Sequence, residues 1–238
     1  TQGAGRPASD AGEGVRHHSF SAITAYSEVC SLMYRYRYLD RLPQERIGAA
    51  LVFGSAMNEA LVRIDADLAQ GRPPQAAAAH EVLRSKLEAA YRNPSLPVEG
   101  GPGDSQEAGL EEFTKKGVKL IDHYLENLLP DEIPLDLPRR FTIPLLGEQG
   151  EALPRPLVGE LDRVVRLKDG RLGIIDWKTA AARWSPDRIA KDEQATAYLL
   201  AGSFMLDQRP AFFRYDLLLK TVKPAIERYY ADRTEADT

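Results

Sequence analysis

The sequence predicts an α/β fold in which a mixed β-sheet is flanked by helices, and three observations carry that reading. Apolar residues recur at three- and four-residue steps through the first half of the chain, the period shortens to two after Pro134, and one helical stretch interrupts the β-type runs that follow. An order of helices, a β-meander, a helix and more β fits a sheet that is mixed and not uniformly parallel.

Composition sets the outer limits. The chain has 238 residues, 35 acidic against 31 Lys plus Arg, a formal charge of −4 and 43% hydrophobic residues. A chain of that length buries a core without cross-links, and its one cysteine, Cys30, excludes internal disulfides and multi-cysteine metal sites. The acidic balance excludes a nonspecific polycation, so nucleic-acid binding must come from a local patch or through a metal. No apolar run approaches the roughly 18 residues that span a bilayer, and the opening Thr1-Gln2-Gly3-Ala4-Gly5-Arg6-Pro7 lacks the apolar core of a secretory signal. The chain reads as soluble and cytoplasmic, with no membrane partner.

The elements follow in order. Residues 1–18 are rich in Gly, Ala and small polar residues without an apolar period and read as a disordered tail, and 19–238 as a single domain with a helical part (19–134) and a sheet part (135–238). Ser21 is placed to N-cap a helix whose stripe is Ile23, Tyr26, Cys30, Met33 and Tyr34, interrupted at Pro43. A second helix runs from about Ala49 to Ala69 on a stripe of Met57, Leu61, Ile64 and Leu68, stopped by Gly71 and Pro73-Pro74. A third covers roughly 75–92, Asn93 to Gly103 is loop by composition, and a fourth covers roughly 106–129 with Leu120, Tyr124 and Leu128 in step. β-type runs are predicted at about 139–146, 156–167, 172–178, 211–219 and 225–230, and one helix at about 186–206 with Pro186 near its first turn.

The chemistry concentrates between Gly159 and Thr179. Asp169-Gly170 between two β-branched runs is a hairpin signal. A three-residue loop with Gly170 left-handed pairs Leu167 with Arg171, sets Asp162 opposite Asp176 and sets Glu160 opposite Lys178. A two-residue turn, pairing Lys168 with Arg171, would put Asp162 opposite Trp177 on the wrong face, so register decides whether a site exists. In the first register two like charges stand with Cβ atoms about 4.5 to 5.5 Å apart and need a cation between them. Mg²⁺ is commonly held by one or two carboxylates and keeps waters for substrate phosphates. Lys178 shares the face of Asp176 and is suited to stabilise charge on a phosphate oxygen. A bare Asp-x-Lys is also common on solvated strands, but Asp176-Trp177-Lys178 is the only acid-x-Lys triplet here and ends a strand that begins apolar at Leu172 and Ile174.

Two basic segments bear on substrate. Tyr34 to Arg41 interleaves aromatics with arginines, making Arg35, Arg37 and Arg41 candidates for phosphate contact; one helix cannot face all of them one way, so core tyrosines with outward arginines remain an equal reading. Lys115, Lys116 and Lys119 read as a solvated helix face.

Gly159-Glu160-Leu161-Asp162-Arg163 resembles the G-x-x-D-R strand of the RecB-like branch of the PD-(D/E)XK nuclease superfamily, and Ile174-Ile175-Asp176-Trp177-Lys178-Thr179 its D-x-K-T strand. Gln194 to Tyr198 is similar to its Q-x-x-x-Y helix, Gly54 to Leu61 to its G-x-x-x-H-E helix, and Ser21 to Leu39 to its opening segment. The resemblance implies a restriction-endonuclease-like core with an N-terminal helical region. It also implies Mg²⁺ or Mn²⁺ held by Asp162, Asp176 and the Trp177 backbone carbonyl, and hydrolysis of DNA phosphodiesters. Lys178 would be the catalytic lysine, Gln194 would orient it or the attacking water, and Tyr198 would contact the substrate strand. An exonuclease in DNA repair, recombination or CRISPR adaptation follows by analogy, with DNA and a helicase, repair or adaptation complex as partners.

Two departures qualify the likeness. Asn58 stands where the branch usually has a histidine metal ligand, and a neutral amide is the weaker ligand. That leaves open an alternative, a catalytically weakened nuclease-fold module for DNA binding or assembly. Relatives with an iron–sulfur cluster use four cysteines and this chain has one, so no cluster is expected. His17, His18, His80 and His123 have no ligand spacing with the two aspartates. A third reading is a domain of a longer helicase–nuclease.

Overall fold

A computed structural model describes residues 17–135 and 140–233. In chain order these form β1 (His18–Ser19), α1 (Phe20–Thr24), α2 (Ser31–Tyr34), β2 (Ile47–Gly48), α3 (Ala49–Ala69), α4 (Ala76–Tyr91), β3 (Val98–Glu99), α5 (Gln106–Glu126) and β4 (Glu132–Pro134). There follow β5 (Arg140–Ile143), β6 (Leu157–Glu160), β7 (Arg163–Leu167), β8 (Leu172–Ala180), α6 (Pro186–Lys191), α7 (Glu193–Met205), β9 (Phe212–Leu219) and β10 (Ala225–Ala231). The chain divides into two compact units, one from the segments up to Pro43 and Thr142–Gly159, the other from Gln44–Phe141 and Glu160 onward. Among the described residues no helix is long and apolar enough to cross a membrane.

In the first unit the predicted continuous helix is broken. Residues 1–16 of the predicted tail lie outside the described residues, while His18 opens β1 and pairs in parallel with Leu157 of β6. Ser19, not Ser21, caps α1, its hydroxyl accepting the Ala22 N–H at 3.2 Å. One-turn π stretches at Ala25–Val29 and Arg35–Leu39 replace α-helix, and Cys30 between them is extended. A π turn spaces its hydrogen bonds at five residues and rotates the following face. The predicted stripe does not form one buried face: Tyr26 is 62% exposed and Cys30 is exposed, while Ala22 and Ala25 are buried.

The second unit is a five-stranded sheet in the order β10-β9-β8-β7-β4. β8 and β9 are parallel and the other neighbours antiparallel, so the sheet is mixed as the sequence predicts. A parallel pair needs a crossover, supplied here by α6 and α7. β4 is an unpredicted strand; Pro134 lacks a donor, which suits the sheet edge it occupies. β3, inside the predicted loop, pairs in parallel with β2.

α3, α4 and α5 cover one face. Phe53, Met57, Leu61 and Ile64 of α3 pack with Leu83 and Leu87 of α4, Leu120, Ile121 and Tyr124 of α5, and Val165, Ile175, Trp177 and Leu218 of the sheet. Each such side chain contributes roughly 1.5 to 3 kcal/mol of burial. α4 and α5 approach through Gly117, where a Cβ would stand 2.5 Å from Leu83 Cδ2. α3 keeps the predicted bounds because stripe and stop coincide: Gly71, at φ +67, lets its N–H reach the Leu68 carbonyl at 2.9 Å.

Between α3 and the sheet lies a buried ion network. Arg163 Nε donates to both Asp65 carboxylate oxygens at 3.1 Å and its Nη1 to Glu132 Oε2 at 3.2 Å. Arg214 also donates to Glu132, and through Nε to Asp216 Oδ1 at 2.6 Å. All five side chains are at most 9% exposed.

Candidate active site

The β7–β8 hairpin adopts the three-residue loop. Leu167 N–H donates to the Arg171 carbonyl at 2.8 Å, Gly170 has φ +90, and Asp169 accepts the Arg171 N–H at 3.1 Å. Arg163 through Arg166 then pair with Ile175 through Leu172. One more step would bring Asp162 opposite Asp176, but the predicted run 156–167 is two strands, with a bend at Asp162 between β6 and β7. The bend takes Asp162 out of the ladder and turns its side chain into a backbone partner, with Oδ2 accepting the Trp177 N–H at 2.9 Å. The predicted Glu160–Lys178 pair does not form for the same reason. Glu160 meets Arg140 at 3.3 Å, and Lys178 Nζ lies 2.6 Å from Asp176 Oδ2.

β8 is buried from Leu172 to Trp177 and opens only at Lys178, so Asp176, 2% exposed, is a buried carboxylate two residues before the strand opens. The Trp177 indole is pinned in the core by its N–H to Tyr124 Oη at 3.1 Å, which steadies the backbone amide that Asp162 uses. Gln194 Nε2 donates to Asp176 Oδ1 at 2.9 Å. It is placed by a feature the sequence reading missed. The predicted helix 186–206 breaks at Asp192, whose carboxylate accepts the Gln194 N–H at 3.0 Å and caps a fresh helix, α7. The signal was present as an Asp two residues before the Gln, but an unbroken helical pattern hid it. Tyr198, one turn on, packs its ring against Phe141 and Phe213 at 5.6 and 6.1 Å and bonds to Gln194.

Asn58, from the middle of α3, hydrogen-bonds Asp162. Asn58, Asp162, Asp176, Trp177, Lys178, Gln194 and Tyr198 all line one cavity of about 580 Å³. Arg35, Arg37 and Arg41 belong to the first unit, outside this lining. There Arg35 pairs with Asp40 at 3.2 Å and Arg37 lies over Tyr38.

The cavity's charges do not balance. Burial, then the Asp176 charge, pushes Asp162 up to about 7 against the opposing pull of Lys178, the Trp177 N–H and Asn58. Burial raises Asp176 too, with Lys178 and Gln194 resisting and Asp192 adding to the rise. Lys178 is disfavoured by burial, yet Asp176 and Asp162 outweigh that and hold its pKa above the ordinary value. Burial and Asp176 push Tyr198 up to about 12, so its phenol stays a donor. Two carboxylates against one ammonium leave room for further positive charge. Two carboxylates at one cavity are a donor set of the kind that holds a hard divalent cation with waters completing its shell; among the described residues no three His, Cys, Asp or Glu side chains gather. Asn58 is a hydrogen-bond donor to one carboxylate of that set.

No curated protein sequence matches this one. Among solved structures it is similar to a proposed exonuclease from Eubacterium rectale, with a TM-score of 0.56 at 12% identity over 100% of this chain and 80% of that one, a likeness of fold alone. The overlap with the protein SSO0001 has a TM-score of 0.34 at 12% identity over 82% of this chain and 71% of that one, too slight to argue from. A family profile matches residues 17–236, a span that takes in both units and every residue of the cavity. On that match the chain belongs to the PD-(D/E)XK nuclease superfamily.

Proposed function

We propose that this protein is a divalent-metal-dependent deoxyribonuclease of the RecB-like branch, working in the cytoplasm as an exonuclease in DNA repair, recombination or CRISPR adaptation. The observation that carries the reading is the convergence of Asp162, Asp176, Lys178 and Gln194 on one cavity, from the bend before β7, from β8 and from α7. Asp162 and Asp176 would hold Mg²⁺ or Mn²⁺, which supplies Lewis-acid charge to a phosphoryl oxygen and acidifies a bound water. Gln194 fixes one oxygen of Asp176 and Lys178 meets the other, so the carboxylate is oriented before substrate arrives. The Lys178 ammonium, held charged at the mouth of the cavity, neutralises developing charge on the phosphodiester. Tyr198, protonated at neutral pH, donates to a phosphate oxygen and helps seat the strand.

Digestion of end-labelled and circular DNA, single- and double-stranded, with Mg²⁺ or Mn²⁺ tests the proposal. Labelled ends should be released while circles survive. Asp176→Ala should abolish cleavage, whereas Lys178→Ala should retain DNA and lose ~10² to 10³ in rate. If neither metal supports cleavage and both variants bind DNA like wild type, the assignment fails. Asn58 favours a second reading, a DNA-binding or assembly module with weakened catalysis, since an amide stands where the branch usually supplies imidazole.

A further inference from the structure

A second cavity, of about 450 Å³, opens between α5 and the turn joining β9 to β10. Lys115, Lys116 and Lys119 reach it from α5 and Lys220 from the end of β9, with Glu111 and Glu112 as the carboxylates in its wall. Glu112 is engaged by Lys116 at 2.5 Å. Neither Lys119 nor Lys220 has an acidic partner among the described residues. Helical spacing alone makes the α5 lysines a solvated face; Lys220, arriving from a different element, turns them into one wall of a cationic cleft. In a chain of net charge −4 that is a local reversal of sign.

Lys220 is held in place. Its N–H donates to the Ala180 carbonyl at 2.8 Å, extending the β8–β9 ladder, and its ammonium lies 5.2 Å from the centroid of the Phe53 ring. Burial and the neighbouring Lys116 push its pKa below the ordinary lysine value. An anion between Lys116 and Lys220 would relieve that repulsion.

Position ties this cleft to the candidate active site. Lys178 pairs with Leu217, and Lys220, three residues past Leu217, leaves the opposite face of the sheet beside Phe53 of α3. Leu218, and Gly54 next to Phe53, line the active-site cavity. We propose that Lys116, Lys119 and Lys220 form a phosphate-binding subsite that grips the nucleic-acid backbone outside the active-site cavity. The subsite rests on the nuclease reading, and contacts of this kind carry affinity without reading sequence.

The test is the salt dependence of DNA binding, measured by fluorescence anisotropy of a labelled oligonucleotide without divalent metal, so that cleavage does not intrude. Removing one lysine–phosphate pair should lower the slope of log affinity against log salt by ~0.9 on duplex or ~0.7 on single strands. Lys116→Gln with Lys220→Gln should therefore lower it by roughly 1.4 to 1.8, and Lys119→Gln by about half of that. Lys119 is exposed on α5, so its variant keeps the test alive if the double variant does not fold. Lys168→Gln, at the tip of the β7–β8 hairpin and paired with Asp131, should bind like wild type. Unchanged slope and affinity in the lysine-cleft variants would overturn the subsite, as would a wild type that binds no DNA at low salt. A wild type that binds through these lysines but cuts nothing would sustain the subsite and retire the nuclease reading.

Discussion

Asn58 reaches Asp162 from α3 as a hydrogen-bond partner, and replacing it separates the two functional readings. Imidazole is a better ligand than an amide for a transition metal. Asn58→His should bind Mn²⁺ more tightly in a calorimetric titration and cleave DNA at least as fast with it. If wild type is inert and the histidine variant cuts, weakened catalysis is the right reading and its cause is known. A variant that loses both Mn²⁺ affinity and cleavage would remove position 58 from the metal site. At this scale much was legible: Asp-x-Lys at a strand end marked the segment, the Asp-Gly loop left two registers, and the observed pairs follow the three-residue one from Arg163 to Arg166. The bend at Asp162 was not legible, because Leu161-Asp162 continues an alternation that only tertiary structure interrupts.

The break between α6 and α7 decides where Gln194 points. Asp192→Ala removes the cap on the Gln194 N–H and should cost about 1 kcal/mol in chemical denaturation. Cleavage should fall further than that destabilisation explains, because Gln194 would no longer be set against Asp176. Asp192→Asn, which keeps an acceptor, should recover stability and much of the rate; equal cleavage by the alanine variant and wild type would contradict the positioning role. Helices were readable where an apolar stripe and a stop signal agree, as from Ala49 to Ala69. They were misread where local hydrogen bonding changes the period, as in the π turns around Cys30.

Across the whole molecule, the ion network joins α3 to three strands, and Arg163 within it directly follows Asp162. Arg163→Met would take the guanidinium from Asp65 and leave Glu132 to Arg214, and should destabilise by about 3 to 5 kcal/mol in urea denaturation. A change below ~1 kcal/mol would mean that water reaches the network and screens it. Nothing in the sequence marks these residues as buried, since isolated charges are ordinarily exposed and only the fold gathers them. The parallel pairing of β8 with β9 has a last consequence. During synthesis β8 emerges before the strand that covers its second edge, and Leu172-Gly173-Ile174-Ile175 is the apolar, proline-free kind of segment that joins edge to edge between chains. Asp176 and Lys178 close that segment with charge. Charge at the end of such a segment guards against edge-to-edge association, so a chain with both Asp176→Ala and Lys178→Ala should aggregate more on refolding, read by light scattering.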